Sequence, residues 1–465
     1  MAAGGFDVVI GNPPYVRQEM LGRSKSYFEQ HYESYQGTAD LYVYFIEKSL
    51  RLLNKGGRYG IIVSRSFLHT TFATKLRRYI RENSAILGFV DFGGLAVFEN
   101  AKDTYVCIPL LANRPQPEVV ELTEIKSLEM LDLEQYVEEN KYLVPPNRFS
   151  EDAWLLKSQE HIDLFHKICR IGVPLGEFVP EGIYSGIKTG LNIAFLIDHD
   201  TKDALISKSP NSIELIHPFY GGMDIRRYFV RSERYLIAIP NGWTRDRIVE
   251  SSGRSARISE AGAWRWLSTN YRAVSEHLEP FAEKAQQRQD QGEFWWELRP
   301  CAYYHILSGR KIIYPDITKW PRFYLDENGA YISNTAYCLG TDDLYLLGIL
   351  NSRLFWFAIG NISIPFGTRA GKYRYRLIYQ YMEQVPIRAI NFDDPADIAQ
   401  HDNMVALVER MLDVHKKLAA ATIPADKTLY QRQIEATDRQ IEALVYELYG
   451  LTEEEIAVVE GRSRG

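Results

Sequence analysis

An unbroken apolar run, Phe6 to Ile10 (FDVVI), predicts a buried strand only five residues into the chain. Leu41 to Leu53 has helical spacing, with Tyr42, Phe45, Ile46, Leu50 and Leu53 on one face. Lys55-Gly56-Gly57 then predicts a glycine turn. Tyr59–Val63, Ile86–Phe92 and Tyr105–Leu111 read as further buried strands, and Phe72–Arg81 as a basic helix. Strand and helix alternate, the pattern of an α/β sheet.

After Asn113 the pattern weakens. Arg114-Pro115-Gln116-Pro117 opens a polar stretch that reads as a connector running to about Pro145-Pro146. From Trp154 to Pro386 short strands, turns and many aromatics predict a mixed, mostly β region, with Ile193–Ile197 among its strands. From Asp397 onward helical periodicity dominates. Ile434, Ile441 and Leu448 recur at seven with Leu444 and Val445 between them, predicting an antiparallel helix pair or short coiled coil. Thr452 and Glu455 have capping-box spacing.

Composition acts mainly by exclusion. The chain has 465 residues, 46% hydrophobic and 25% charged, enough for two to four domains with sizeable cores. The 4 cysteines, Cys107, Cys169, Cys301 and Cys338, lie far apart in sequence. A local zinc knuckle or CxxC redox pair is excluded, and a reduced cytoplasmic protein is the expectation. No apolar run approaches the roughly 18 residues of a membrane span. The net charge of −6 argues mildly against coating DNA phosphates, unless the cations are clustered. Two such clusters exist. Arg226, Arg227, Arg231 and Arg234 surround Tyr228 and Phe229, and Thr368–Arg376 interleaves Arg369, Lys372, Arg374 and Arg376 with Tyr373 and Tyr375. Arg binds phosphate or reads guanine edges while Tyr packs on sugars or bases. The plainer reading of both is a solvated charged face. No HExxH, Walker or GxSxG motif is present, and no metal-ligand set is expected.

The strongest chemical signal is Asn12-Pro13-Pro14-Tyr15, directly after the first strand. An exocyclic amine on adenine is a poor nucleophile, because its lone pair is delocalised into the ring. Two acceptors aimed at its two hydrogens would localise that pair. The Asn12 side-chain oxygen and the Pro13 carbonyl, held by prolines that fix φ, form such a pair. Tyr15 supplies a face on which an extruded base can stack. The plainer reading is a proline-stiffened loop; its place after a strand favours the chemical one.

The segment Phe6 to Glu19 resembles the catalytic segment of the gamma-class adenine-N6 DNA methyltransferases of restriction–modification systems. The following Ala39-Asp40-Leu41-Tyr42 to Lys48 resembles that family's next motif. By the resemblance, Asn12, Asp40 and Leu41 border the methyl donor, S-adenosyl-L-methionine; Asp40 also suits a plain helix N-cap. Ala96–Ala101 resembles the segment whose aromatic packs on the flipped adenine, which makes Phe98 a second stacking face beside Tyr15; the plainer alternative is a core residue. Glu181–Asp198, Pro218–Tyr228, Lys311–Ile317, Leu350–Ser352 and Tyr381–Ile387 resemble, in order, a TaqI-like specificity domain.

The resemblance implies the C-terminal half of a Rossmann-like methyltransferase sheet, then a mixed mostly-β recognition domain and a helical end. The expected boundaries are 1–114 for a partial catalytic domain, 115–153 for a connector, 154–390 for DNA target recognition and 391–465 for the helical region. It places the donor's glycine-rich loop and ribose-binding acid upstream of Phe6. The expectation is therefore a truncated or wrongly started reading, or half of a split enzyme partnered by a separate N-terminal half or a restriction subunit. Double-stranded DNA is the expected substrate. Arg226, Arg227, Arg369, Lys372, Arg374 and Arg376 are the expected DNA contacts. The alternatives are a non-catalytic DNA-binding specificity subunit and an NPPY-type protein-glutamine methyltransferase.

Overall fold

The computed structural model describes residues 4–99, 104–129, 132–151, 153–253, 258–363, 365–369 and 372–462. The sheet is built from β1 (Phe6–Gly11), then, after helices α1 (Ser24–His31) and α2 (Leu41–Arg51), from β2 (Leu53–Ile61) and β3 (Val63–Ser64). Helix α3 (Thr74–Asn83) precedes β4 (Ala85–Asp91) and β5 (Val106–Ala112); β6 (Val120–Glu124), helix α4 (Leu133–Asn140) and β7 (Tyr142–Val144) complete it.

The strand order is β1-β2-β5-β4-β6-β7, with β3 also paired to β5. β1 runs parallel to β2 and β4 parallel to β6, while β5 is antiparallel to both β2 and β4. β1, β2, β4 and β6 therefore deliver their carboxyl ends to one edge of the sheet, where ligands sit in α/β folds. Tyr42, Ile46 and Leu50 of α2 are buried as their spacing predicts, but Phe45 of the expected face is 39% exposed, Val43 is buried in its place, and Leu53 opens β2. The mixed α/β sheet, the strand-rich middle region and the helical end follow the fold expected from the sequence.

Three local readings are corrected. β1 is not buried: Phe6, Val8 and Ile10 are 52%, 58% and 78% exposed, because β1 is an edge strand with β2 as its one neighbour among the described residues. The polar stretch after Asn113 is not a bare connector, since β6 and β7 extend the sheet. It is anchored by Trp154, which is fully buried and stands edge-on to Phe89 and Phe149. Alternation was too short there to reveal strands of five and three residues. Finally, Asn192–Phe195 is a helical turn, leaving only Leu196–Ile197 as strand. The Thr189 hydroxyl, bonded to Asn192 and accepting the Leu191 N–H, sets that turn just past Gly190, whose φ is 70°.

The chain divides into two units: Met1–His166 with Ile364–Arg374, and Lys167–Ser363 with Tyr375–Gly465. In the second, Lys311–Pro315 is the central strand of a small sheet, between Tyr324–Asp326 and Ala336–Leu339. Its main core gathers Phe195, Leu236, Leu267, Val274, Trp296 and Ile332. The helical end is a hairpin of Pro395–Ala420 against Pro424–Leu448, and the capping box at Thr452 and Glu455 is formed as its spacing predicts. No helix among the described residues is long and apolar enough to cross a membrane.

Candidate active site

β1 ends at Gly11, whose carbonyl accepts the Ile62 N–H at 3.0 Å, and the chain then turns out of the sheet as Asn12-Pro13-Pro14-Tyr15. Pro13 is buried and Asn12 exposed. Among the described residues no hydrogen bond engages the Asn12 amide or the Pro13 carbonyl. The loop is pinned on its far side. Leu41 N–H donates to the Val16 carbonyl (3.1 Å), and the Asp40 carboxylate accepts the Gln18 N–H (2.9 Å). Asp40 thus stands at the N-cap position of α2, but its side chain makes no cap bond to that helix and ties down the loop after Tyr15 instead. Burial raises the Asp40 carboxyl above its ordinary range, against the lowering effect of the Gln18 N–H. Asp40→Ala, which leaves that N–H without its charged acceptor, should cost about 1–3 kcal/mol in chemical denaturation, and Asp40→Asn should recover part of it.

Tyr15 turns back over the sheet edge. Its hydroxyl donates to the Ile62 carbonyl (3.4 Å), and burial, with Cys107 nearby, pushes the phenol up to about 12. The group stays neutral and presents a ring face rather than a base. Phe98 meets it with ring centroids 5.7 Å apart and planes at 58°. Both rings pack on a small cluster of Val90, Phe92, Val106 and Ile125. The first unit therefore brings together Asn12, Pro13, Pro14, Tyr15, Asp40, Leu41 and Phe98, all at the carboxyl edge of the parallel strands.

Residues that the sequence reading passed over support this edge. Asp91, at the end of β4, is 4% exposed. It accepts from Arg65 at 2.8 Å and from the Gly93 N–H at 2.9 Å. The Phe92-Gly93-Gly94 tripeptide after a buried strand was the available signal for this turn.

The basic residues fare differently. Arg227 points into its own unit, its guanidinium 2.5 Å from Asp438 and 3.5 Å from Glu442. Arg226 donates to the carbonyls of Met223 and Ile225, and Arg234 pairs with Asp224. Arg376 lies 3.4 Å from Asp316. Arg374 is partly exposed on the strand Lys372–Arg376. The side chains of Arg369 and Lys372 lie outside the described residues. Nothing in a run of arginines distinguishes those that face solvent from those that find a buried carboxylate more than 200 positions away, as Arg227 does.

The Arg227 network has a pH signature. Burial pushes Glu442 up to about 7, despite the Arg353 N–H it accepts and the Arg227 cation. That lies above an exposed glutamate, about 4.3, so the folded state holds the proton more tightly. The stability contributed by protonated Glu442 is present in full below the unfolded value and is lost as pH rises through the folded one. Urea midpoints of the wild type should fall across that window, and Glu442→Gln should flatten the profile.

Comparison with known proteins agrees with these two segments. Residues 1–98 match the family model of the Eco57I restriction-modification methylase, and residues 217–387 that of the TaqI-like C-terminal specificity domain. The type II restriction enzyme and methyltransferase RM.Eco57I of Escherichia coli is 24% identical over 506 residues, covering 98% of this chain and 47% of that protein. The chain thus spans about half the length of that relative. The type II methyltransferase M.BstVI of Geobacillus stearothermophilus is 22% identical over 98% of this chain and 75% of its own length. M.XhoI of Xanthomonas vasicola is 36% identical over 117 residues, 24% of this chain and 20% of its own. Among solved structures, the type IIL restriction-modification enzyme MmeI in complex with DNA has the same fold. It superposes with a TM-score of 0.54 at 12% identity, over 98% of this chain and 56% of its own. In order along the chain, residues 1–98 are thus similar to an Eco57I restriction-modification methylase and residues 217–387 to a TaqI-like C-terminal specificity domain, and these relatives are type II methyltransferases.

Proposed function

We propose that the chain carries the catalytic and target-reading parts of an adenine-N6 DNA methyltransferase. It would act with S-adenosylmethionine on double-stranded DNA in a restriction–modification or related defence system. The observation that carries this reading is the Asn12 amide and Pro13 carbonyl, which no hydrogen bond engages among the described residues, set beside the Tyr15–Phe98 ring pair at the carboxyl edge of the sheet. The flipped adenine lies on Tyr15, and Asn12 and Pro13 accept its two amine hydrogens. That draws the nitrogen toward a tetrahedral shape with a localised lone pair. The proton leaves once the methylated nitrogen is cationic, so no strong base is needed, consistent with a Tyr15 phenol held neutral.

The donor, when bound, supplies an electrophilic methyl group. The residues present fit one wall of its site. Asn12 is exposed at the end of a strand that pairs only with β2 among the described residues, and Asp40 and Leu41 close the same loop. The rest of that site would come from residues before Phe6 in a longer protein, or from a separate N-terminal half.

With such residues supplied, labelled methyl from S-adenosylmethionine should enter duplex DNA. Label entering protein alone would favour glutamine methylation, and no transfer with DNA binding intact would favour a specificity subunit. For the recognition segment, Arg374→Ala should weaken binding to a mixed-sequence duplex and reduce the salt slope by about one. An unchanged isotherm would remove Arg374 from the interface.

A further inference from the structure

A tyrosine hydroxyl of the basic strand Lys372–Arg376 reaches the turn that leads into the base slot. Residues 364–374 group with the first unit, although they lie inside the specificity segment by sequence. We propose that Tyr373 is a positioning residue that couples engagement of DNA by its own strand, the arm Lys372–Arg376, to the setting of Phe98 in the base slot. The proposal rests on the reading above.

The Tyr373 hydroxyl accepts the Gly94 N–H at 2.7 Å, across 279 positions of sequence. It lies so close to Gly93 that a Cβ there would sit 1.7 Å from the hydroxyl oxygen. Gly93 also has φ of 55°, in the left-handed region. Glycine is thus required at 93 both by the backbone and by the tyrosine above it, which separates this contact from an incidental surface one. From below, the Asp91 carboxylate, fixed by Arg65, accepts the Gly93 N–H. Two successive amides of one turn are therefore held, one by the sheet and one by the arm.

The turn leads directly to the slot. Leu95 N–H donates to Phe92 (3.0 Å) and Val97 N–H to Leu95 (3.1 Å), so residues 92–97 form consecutive tight turns ending at Phe98. Phe98 now touches Tyr15, with centroids 5.7 Å apart. A base between two rings needs about 7 Å, twice a van der Waals carbon separation. Phe98 must therefore swing outward for a base to enter between the rings, and its hinge is the turn that Tyr373 holds. Arm engagement and slot opening are then linked, and the linkage is reciprocal: a filled slot tightens the arm on DNA by the same factor.

The test is hydrogen–deuterium exchange of the full chain, with and without a mixed-sequence DNA duplex. In the wild type, DNA should slow exchange both in the arm and at residues 95–99. In Tyr373→Phe the arm should keep its protection, while the DNA-dependent slowing at 95–99 should shrink about fivefold. Gly93→Ala, which displaces the tyrosine by contact, should uncouple the two segments in the same way. Faster exchange at Gly94 without DNA would follow from any structural role; the DNA-dependent change at 95–99 is what coupling alone moves. Undiminished DNA-dependent protection at 95–99 in Tyr373→Phe overturns the proposal, as does wild-type protection confined to the arm. Protection of neither segment in the wild type removes the DNA-binding reading itself, and the coupling with it.

Discussion

An Asn12→Ala protein with its donor-binding residues supplied, assayed beside the equally supplemented wild type with donor and duplex DNA, should transfer methyl at least about 10²-fold more slowly while binding DNA equally well. The effect is large because the side chain acts where charge changes during the reaction. Alanine removes the acceptor that favours a tetrahedral amine, and the Pro13 carbonyl alone cannot orient both hydrogens. The loss should fall on kcat rather than on the affinity for DNA, because the substrate amine gains most from its acceptors as it becomes nucleophilic. The exposed position of Asn12 makes the variant structurally mild: no hydrogen bond to another described residue is lost. Full activity in this variant would exclude the acceptor role.

The second large effect concerns stability. Lys311 and Asp326 are both completely buried, with Nζ 2.5 Å from Oδ2. Lys311 also donates to the Gly309 carbonyl at 3.1 Å. Asp326 accepts the N–H groups of Asn328 (3.1 Å) and Ala330 (2.7 Å), so it organises the turn between Tyr324–Asp326 and Tyr331–Ile332. Lys311→Met leaves a carboxylate in the core without its cation, at a cost of about 3–5 kcal/mol. The transition of the second unit should move to markedly lower temperature. The double variant with Asp326→Asn should recover part of the loss, because the charge is gone and the amide oxygen still serves one of the two N–H groups, which bond to different carboxylate oxygens. With Asp326→Leu it should recover less, because those two donors are then stranded. Equal recovery by both would show that the ion pair, and not the turn, is what matters.

How much of this was legible in the sequence depends on the range of the interactions. Local signals read true: α2 begins at Leu41 as its spacing predicts, the Thr452 capping box forms, and the segment with Ile434, Ile441 and Leu448 at sevenfold spacing is one arm of a helical hairpin. The NPPY turn was visible because its chemistry lies in four consecutive residues. What the sequence hid was set at long range. β1 looks like a core strand by composition, yet its burial depends on which strands flank it. Asp40 looked like a helix cap, but the Gln18 amide competes successfully for its carboxylate. Arg227 looked like a DNA contact, but Asp438 and Glu442 on the C-terminal hairpin face it. Tyr373 was one aromatic among many until the fold set it over a glycine.

The central claim is that the slot formed by Asn12, Pro13, Tyr15 and Phe98 receives adenine. The most direct test is nucleoside analysis by mass spectrometry of duplex DNA after reaction with S-adenosylmethionine and the protein with its donor-binding region in place. The account predicts N6-methyladenine, absent when Asn12→Ala is used. N4-methylcytosine as the product, or N6-methyladenine formed at undiminished rate by Asn12→Ala, would contradict it.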